Sequence, residues 1–367
     1  MENILFDANF LYDQIGLQRG IGRIALAYYH ELSKTCTVHV LIGYKPNAEQ
    51  LIHKHLGEVA FVVYMPLQDM TLALEDDLYS RLSAYAQEHS IKYLFDPAPM
   101  TLAAFKPIRY PFPVHLVFYD AIPSLYNFPV QDKHYRRGIA RYLYAEYIYA
   151  LSLHAWKDYE NFLCSKHPHS VVNARVLCKR PNIFQFYDPV PIGERHNSVL
   201  CITSPAPHKY YTRAIDIWRA LPETIQRTHT LKLLGMFTDA RILVELEYQL
   251  FREGLRVEFY QSIDESTLRT WYRHSKAVLH VSDYEGLGLP PLEAIAYGTP
   301  ALTYRGGGGL IDIADVVYTY RTENEAADIL TRWLEVVPIT VIKEQQQLLK
   351  DWIHETHCMG EPAATNA

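Results

Sequence analysis

Cysteine is scarce and unpatterned: five residues, at 36, 164, 178, 201 and 358, with no C-x-x-C spacing. Reduced thiols in a cytosolic protein are the simplest account of such a set. Positive charge is not in excess either. Lys and Arg number 35 against 41 Asp and Glu, a formal net charge of −6, so there is no general electrostatic case for binding nucleic acid. No apolar run reaches the ~18 residues that a membrane-spanning helix needs. Residues 1–7 join no basic segment to a long apolar one, so a secretory leader is not expected there. Metal-ligand pairs are also wanting: H-x-x-x-H is absent, and Asp312 with Asp315 has a spacing common on any helix face. Internal repeats and low-complexity tracts are missing apart from one run of glycines, 306–309.

What is present is a chain of 367 residues, long enough for two domains with separate cores. About half of it is apolar and 21% charged, the balance of an ordinary globular protein. Apolar strand patterns alternate with helical ones: strands at 3–7, 38–42, 61–63, 91–95 and 114–118, helices at about 20–32 and 72–88. Such alternation predicts a mostly parallel sheet covered on both faces. The segment 161–165 reads as the last strand of this first domain, followed by a helix to about 178. A Pro-rich polar stretch at 188–197 then marks the best boundary. Domains are therefore expected at 1–188 and 189–340, with a final helix (342–357) and a tail (359–367) expected to be disordered.

The most informative stretch is 283–300, D-Y-E-G-L-G-L-P-P-L-E-A-I-A-Y-G-T-P. It follows an apolar, β-branched run, 277–281, that should end a buried strand. Gly286 and Gly288 let the backbone turn tightly and approach a ligand. Pro290 and Pro291 suit a first helical turn, and Gly298 with Pro300 closes the helix. Glu285 is thereby placed on the loop and Glu293 in the first turn of the helix, beside an N-terminus suited to a diphosphate. The plain alternative is that Glu293 complements the helix dipole and Glu285 is solvated.

The pattern E-G-x-G-L-P-x-x-E-A-x-A-x-G-x-P resembles the signature of glycosyltransferase family 4. The resemblance is specific over 257–300 and loose over most of the chain. It implies a GT-B fold: two Rossmann-like domains facing a cleft, with the last helix crossing back to the first domain. It also implies a retaining transfer from a nucleotide sugar, without a catalytic metal or other cofactor. On that basis Glu285 and the N–H groups of Gly286, Leu287 and Gly288 would hold the donor sugar, and Glu293 the ribose. The strand before Tyr260 would help hold the base. Lys209 matches the lysine of the family's phosphate pair, but Pro205 stands at the arginine position; Arg213 is a candidate substitute. In the first domain, Gly20, Gly22 and Arg23 look like the loop lining the cleft near acceptor and phosphates. Asp120 matches the family's H-D-x-x-P element, with Tyr119 in place of the histidine.

Residues 132–149 read as one long helix whose Lys133, Arg136, Arg137 and Arg141 cluster beside tyrosines. They suit either a local membrane or lipid-linked-acceptor contact, or a solvated helix end before a packing face. The expected partners are a nucleotide sugar and a glycan or lipid-linked glycan acceptor, in bacterial surface polysaccharide synthesis at the cytoplasmic side. A nucleotide-sugar epimerase and a catalytically silent binding subunit are the alternatives.

Overall fold

The computed structural model describes residues 1–13, 17, 20–126, 133–166, 174–235 and 240–358. Residue 132 and the tail 359–367, named above, lie outside the described residues. The first sheet contains β1 (Glu2–Asp7), β2 (Cys36–Gly43), β3 (Phe61–Met65), β4 (Ile91–Asp96), β5 (Val114–Phe118), β6 (Tyr147–Ala150) and β7 (Arg175–Cys178). The remaining strands are β8 (His196–Ile202), β9 (Thr230–Leu234), β10 (Val257–Tyr260), β11 (Ser275–His280), β12 (Tyr284–Glu285), β13 (Ala301–Tyr304), β14 (Gly307–Gly308) and β15 (Tyr318–Tyr320).

The first sheet runs β3-β2-β1-β4-β5-β6-β7 and the second β10-β9-β8-β11-β13-β15, with β12 and β14 paired apart. All these pairings are parallel. Buried runs such as Ile4, Leu5 and Phe6, or Val278 and Leu279, have no exposed surface, which a strand achieves when helices cover both faces. In each sheet the strand order reverses once, between β1 and β4 and between β8 and β11. Right-handed crossovers then send the chain to opposite faces, and a crevice opens beyond the carboxyl ends of those strands. The protein is an α/β fold of two Rossmann-like domains, and the crevices of both contribute to one cleft.

Two sequence expectations are corrected. Residues 132–149 are not one helix: the helix Lys133–Tyr142 ends, and Tyr147–Ala150 is a strand of the sheet. The Y-I-Y-A run alternates half-buried tyrosines with fully buried Ile148 and Ala150, a period-two pattern that suits a strand. Two arginines of the helix Lys133–Tyr142 point inward. Arg137 donates to Glu75 at 2.6 Å, and Arg141, 1% exposed, donates to Asp96 at 2.6 Å. Likewise 161–165 lies within the helix Leu153–Lys166, and the last strand is Arg175–Cys178 where a helix was expected. Trp156, Tyr159 and Leu163 are buried three to four residues apart, the spacing of one helical face.

The closing helix, Ile339–Cys358, ties the domains together. Gln346 donates to Tyr187 O and Ile295 O, Trp352 donates to Asp312 O, and the Arg180 guanidinium stacks 4.1 Å from the Trp352 ring centroid. Asp312 also accepts from Ser152 and lies 3.3 Å from His154 Nδ1, so it joins the domains. Among the described residues no cluster of three metal-ligating side chains occurs, and no helix is long and apolar enough to cross a membrane.

Candidate active site

The loops after β8 and β11 flank the second domain's reversal point, and each delivers a charged side chain to the cleft. After β8, the turn 204–209 is fixed by Thr203, whose hydroxyl donates to Lys209 O at 2.8 Å, and by Asp283 N–H, which donates to His208 O at 2.8 Å. After β11 comes β12 with Glu285. Lys209 and Glu285 meet in an ion pair. Burial would raise the Glu285 pKa, but the attraction of Lys209 and the His280 hydrogen bond outweigh it and hold this carboxyl well below the usual range.

Glycine makes this approach possible. At Gly286 an added methyl would lie 2.2 Å from Tyr119 O and 2.9 Å from Asp120 Cβ, so the loop is pressed against the first domain. Gly288 has φ +78°, a left-handed conformation that lets the chain enter the helix Leu289–Ala296. The glycine run 306–309 lies against the same loop. Gly307 and Gly308 pair with Tyr284 and Glu285, and methyls on Gly306, Gly308 or Gly309 would fall within 2.5 Å of backbone oxygens. The four glycines let two backbones touch, and so brace Glu285.

Glu293 is the fifth residue of its helix, in the second turn rather than the first as expected, because the helix starts at Leu289. Its carboxylate accepts from Tyr272 Oη at 2.8 Å and from Arg23 of the first domain. Gly20, at the start of the helix Gly20–Leu32, abuts Leu289: a methyl there would lie 2.5 Å from Leu289 Cδ1. Gly22 is buried in the same helix. Leu287 turns its side chain inward, lining a small cavity with Ile24, Phe184 and Trp352.

Asp120 follows β5 and caps the next turn by accepting from Ile122 N–H at 3.0 Å. Its pKa is pushed up to about 6, chiefly by burial, with Glu285 adding to the rise and the Ile122 hydrogen bond opposing it. Tyr119 Oη reaches Pro97 O at 2.7 Å and Ile21 O at 3.2 Å, joining its own loop to the Arg23 helix. Of the residues singled out from the sequence, Glu285, Gly286, Lys209 and Asp120 thus converge at one place, and Arg23, Gly20 and Glu293 at another on the same cleft. Arg213 is set apart. Its guanidinium donates to Asp283 at 2.6 Å and Val281 O at 2.8 Å and lies over the Tyr304 ring at 3.8 Å.

His280 escaped the sequence reading. It is fully buried at the end of β11, with Nδ1 2.9 Å from Thr303 Oγ1 and Nε2 3.4 Å from Glu285 Oε1. Burial pushes its pKa down, so the neutral tautomer with Nε2–H facing Glu285 suits the pair. The signal available in the sequence was its place, five residues before Glu285 within the apolar run 277–281.

Residues 185–329 match the family described as glycosyl transferases group 1. No curated protein matches the chain in sequence. Among solved structures, HepE of Anabaena in complex with UDP and glucose is similar over 97% of this chain and 98% of its own, at 16% identity and TM-score 0.65. WaaG, a glycosyltransferase involved in lipopolysaccharide biosynthesis, is similar over 98% of this chain and 100% of its own, at 15% identity and TM-score 0.58. TarM of S. aureus, in a structure with UDP and glycan ligands, is similar over 98% of both chains, at 12% identity and TM-score 0.62. The GT-B fold thus extends along nearly the whole chain, and the family match falls on the second domain, where Lys209, Glu285 and Glu293 lie.

Proposed function

We propose that this chain is a retaining glycosyltransferase that moves a sugar from a nucleotide-sugar donor to a glycan or lipid-linked glycan acceptor. The observation that carries the reading is the convergence of Lys209 with Glu285 on the glycine loop, with Glu293 on the helix that follows. In this reading the second domain binds the donor. Glu293, a carboxylate with two acceptor oxygens, takes the ribose hydroxyls, and Glu285 with the N–H groups of 286–288 takes the donor sugar. Lys209 stabilises the charge that grows on the departing diphosphate. The acceptor enters from the first domain, past Gly20, Gly22 and Asp120. Attack on the donor face from which the diphosphate leaves, with that diphosphate accepting the acceptor's proton, needs no protein nucleophile and retains the anomeric configuration. No metal has a step in this scheme.

Uridine nucleotides are the first donors to try, since the HepE and TarM structures hold UDP. Lipopolysaccharide or a related surface polysaccharide is the context suggested by WaaG, and on this reading the enzyme works at the cytoplasmic side of the membrane. The inward-facing Arg137 and Arg141 do not support a membrane contact through their helix. A second reading, a subunit that binds sugar nucleotides without turning them over, draws on Pro205 and on the Tyr119 hydroxyl held by backbone carbonyls.

The test is nucleoside-diphosphate release across a panel of nucleotide sugars with candidate glycan acceptors, wild type beside Glu285→Ala, and the anomeric configuration of any product by NMR. Release from one donor by the wild type alone, with retention, is the expected result. Binding without release by the wild type would favour the silent subunit, an epimer formed without acceptor an epimerase, and an inverted product would refute the stereochemistry.

A further inference from the structure

The reading above leaves the diphosphate a single cation, Lys209, because Pro205 stands where the resembled pattern has arginine. Arg213 does not fill the gap. Besides Asp283 and Val281 O, it lies 3.4 Å from Glu323, and it stacks on Tyr304, so it anchors the loop before Glu285.

Arg23 is held differently. It comes from the other domain, its side chain is 33% exposed, and its ion-pair partner is the Glu293 carboxylate. The start of its helix is seated against Leu289, the first residue of the Glu293 helix, so the guanidinium is delivered to one spot on the cleft wall. Glu285 is paired with Lys209, whose side chain is 24% exposed. The two carboxylates of the signature stretch are therefore each covered by a cation, one from each domain. A donor whose ribose reaches Glu293 and whose sugar reaches Glu285 would carry its diphosphate between those cations.

We propose that Arg23 is the second cation of the diphosphate site, and that without ligand Glu293 holds it across the cleft until a ribose takes its place. The proposal rests on the glycosyltransferase reading and deepens it. A partly exposed ion pair is weak enough to exchange partners. A guanidinium fork fits phosphate oxygens as well as a carboxylate, and the released carboxylate can accept from two vicinal hydroxyls. The same exchange restores charge balance. With Asp120 nearby, a cleft of three carboxylates would repel a diphosphate unless both cations turned to it. It also separates the effects of the two halves of the nucleotide: Arg23 competes with the ribose and attracts the phosphates.

Calorimetric titration with uridine and with UDP, and with the guanosine, adenosine, cytidine and thymidine counterparts, tests this on wild type, Arg23→Ala, Arg23→Lys and Lys209→Ala. Thermal melts confirm that each variant is folded. Arg23→Ala is expected to weaken the diphosphate about tenfold to a hundredfold, the worth of one charged hydrogen-bonded contact. It should tighten the bare nucleoside severalfold, because Glu293 is freed, and Arg23→Lys should recover part of the diphosphate affinity. If Arg23→Ala leaves the diphosphate unchanged or tightens both ligands, Arg23 is only a competitor and the proposal fails. If it weakens both alike, the pair is structural and the proposal fails too. Loss of affinity in Lys209→Ala beside an unaffected Arg23→Ala overturns this inference alone. A wild type that binds none of the diphosphates overturns the glycosyltransferase reading and this inference with it.

Discussion

Both domains put opposite charges at the carboxyl ends of the strands where their sheets reverse order, and the two sets differ in one respect, access to water. In the first domain, Asp7 ends β1 and Asp96 ends β4. Lys106 Nζ lies 2.9 Å from Asp96 and 3.2 Å from Asp7, Arg141 lies 2.6 Å from Asp96, and all four side chains are at most 1% exposed. At the second domain's end of the cleft, the Lys209–Glu285 pair and the pair of Glu293 with Arg23 from the first domain keep part of their cationic surface open. A sealed cluster has no room for a ligand, and its ions are held by one another. An open cluster can change partners. Fold-level analogy would place a ligand at either reversal point; exposure argues against the first, and the proposed function uses the second.

The contrast can be broken experimentally, and the largest effect is expected on the sealed side. Lys106→Met leaves Asp7 and Asp96 with one cation between them in the interior, and removing a partner from a buried ion cluster costs about 3–5 kcal/mol. Urea unfolding should show that loss, and a loss below about 1 kcal/mol would mean the cluster is not sealed in solution. On the open side, Lys209→Ala should cost less stability than Lys106→Met, because Lys209 keeps part of its side chain in water, while weakening nucleoside-diphosphate binding about tenfold to a hundredfold by calorimetry.

Asp120 sharpens the comparison, since it sits between the two regimes. Its folded pKa of about 6 lies above the unfolded value of 3.8, so the folded state binds the extra proton between those pH values. Its contribution to stability is complete below pH 3.8 and lost as the pH rises through about 6. Asp120→Asn keeps the acceptor for Ile122 N–H and removes the titration. The variant should therefore be more stable than wild type at pH 8 by about 1–2 kcal/mol, and the gap should close near pH 4 in pH-resolved thermal melts. The smallest effect is expected from chelation: EDTA should change donor turnover by less than about twofold, because charge on the leaving group is met by side chains.

Much of the frame was legible in the sequence, because strands buried on both faces read as apolar runs and the helix Leu289–Ala296 carries its own start and stop residues. The signature stretch located Glu285 and Glu293 for the same reason: glycines and prolines dictate local backbone. What was not legible was partner choice. Lys209, Arg23 and Arg213 read alike as basic residues near helix starts, and only tertiary contacts show Arg213 locked on Asp283 while Arg23 crosses to Glu293. The arginines of the helix Lys133–Tyr142 misled for the converse reason, since a basic cluster in sequence reads as surface and here Arg141 is buried on Asp96. Residues 161–165 misled because a short apolar run fits helix and strand equally.

Thermal unfolding with saturating nucleoside diphosphates, on wild type and Lys209→Ala side by side, probes the open cleft most directly. A ligand at a hundred times its dissociation constant stabilises the folded state by about 2.7 kcal/mol, enough to raise the melting temperature of a chain this size measurably. One diphosphate should raise the wild-type transition and raise that of Lys209→Ala by about half as much or less at the same concentration. No shift with any diphosphate, or equal shifts in both proteins, would contradict a diphosphate site at Lys209.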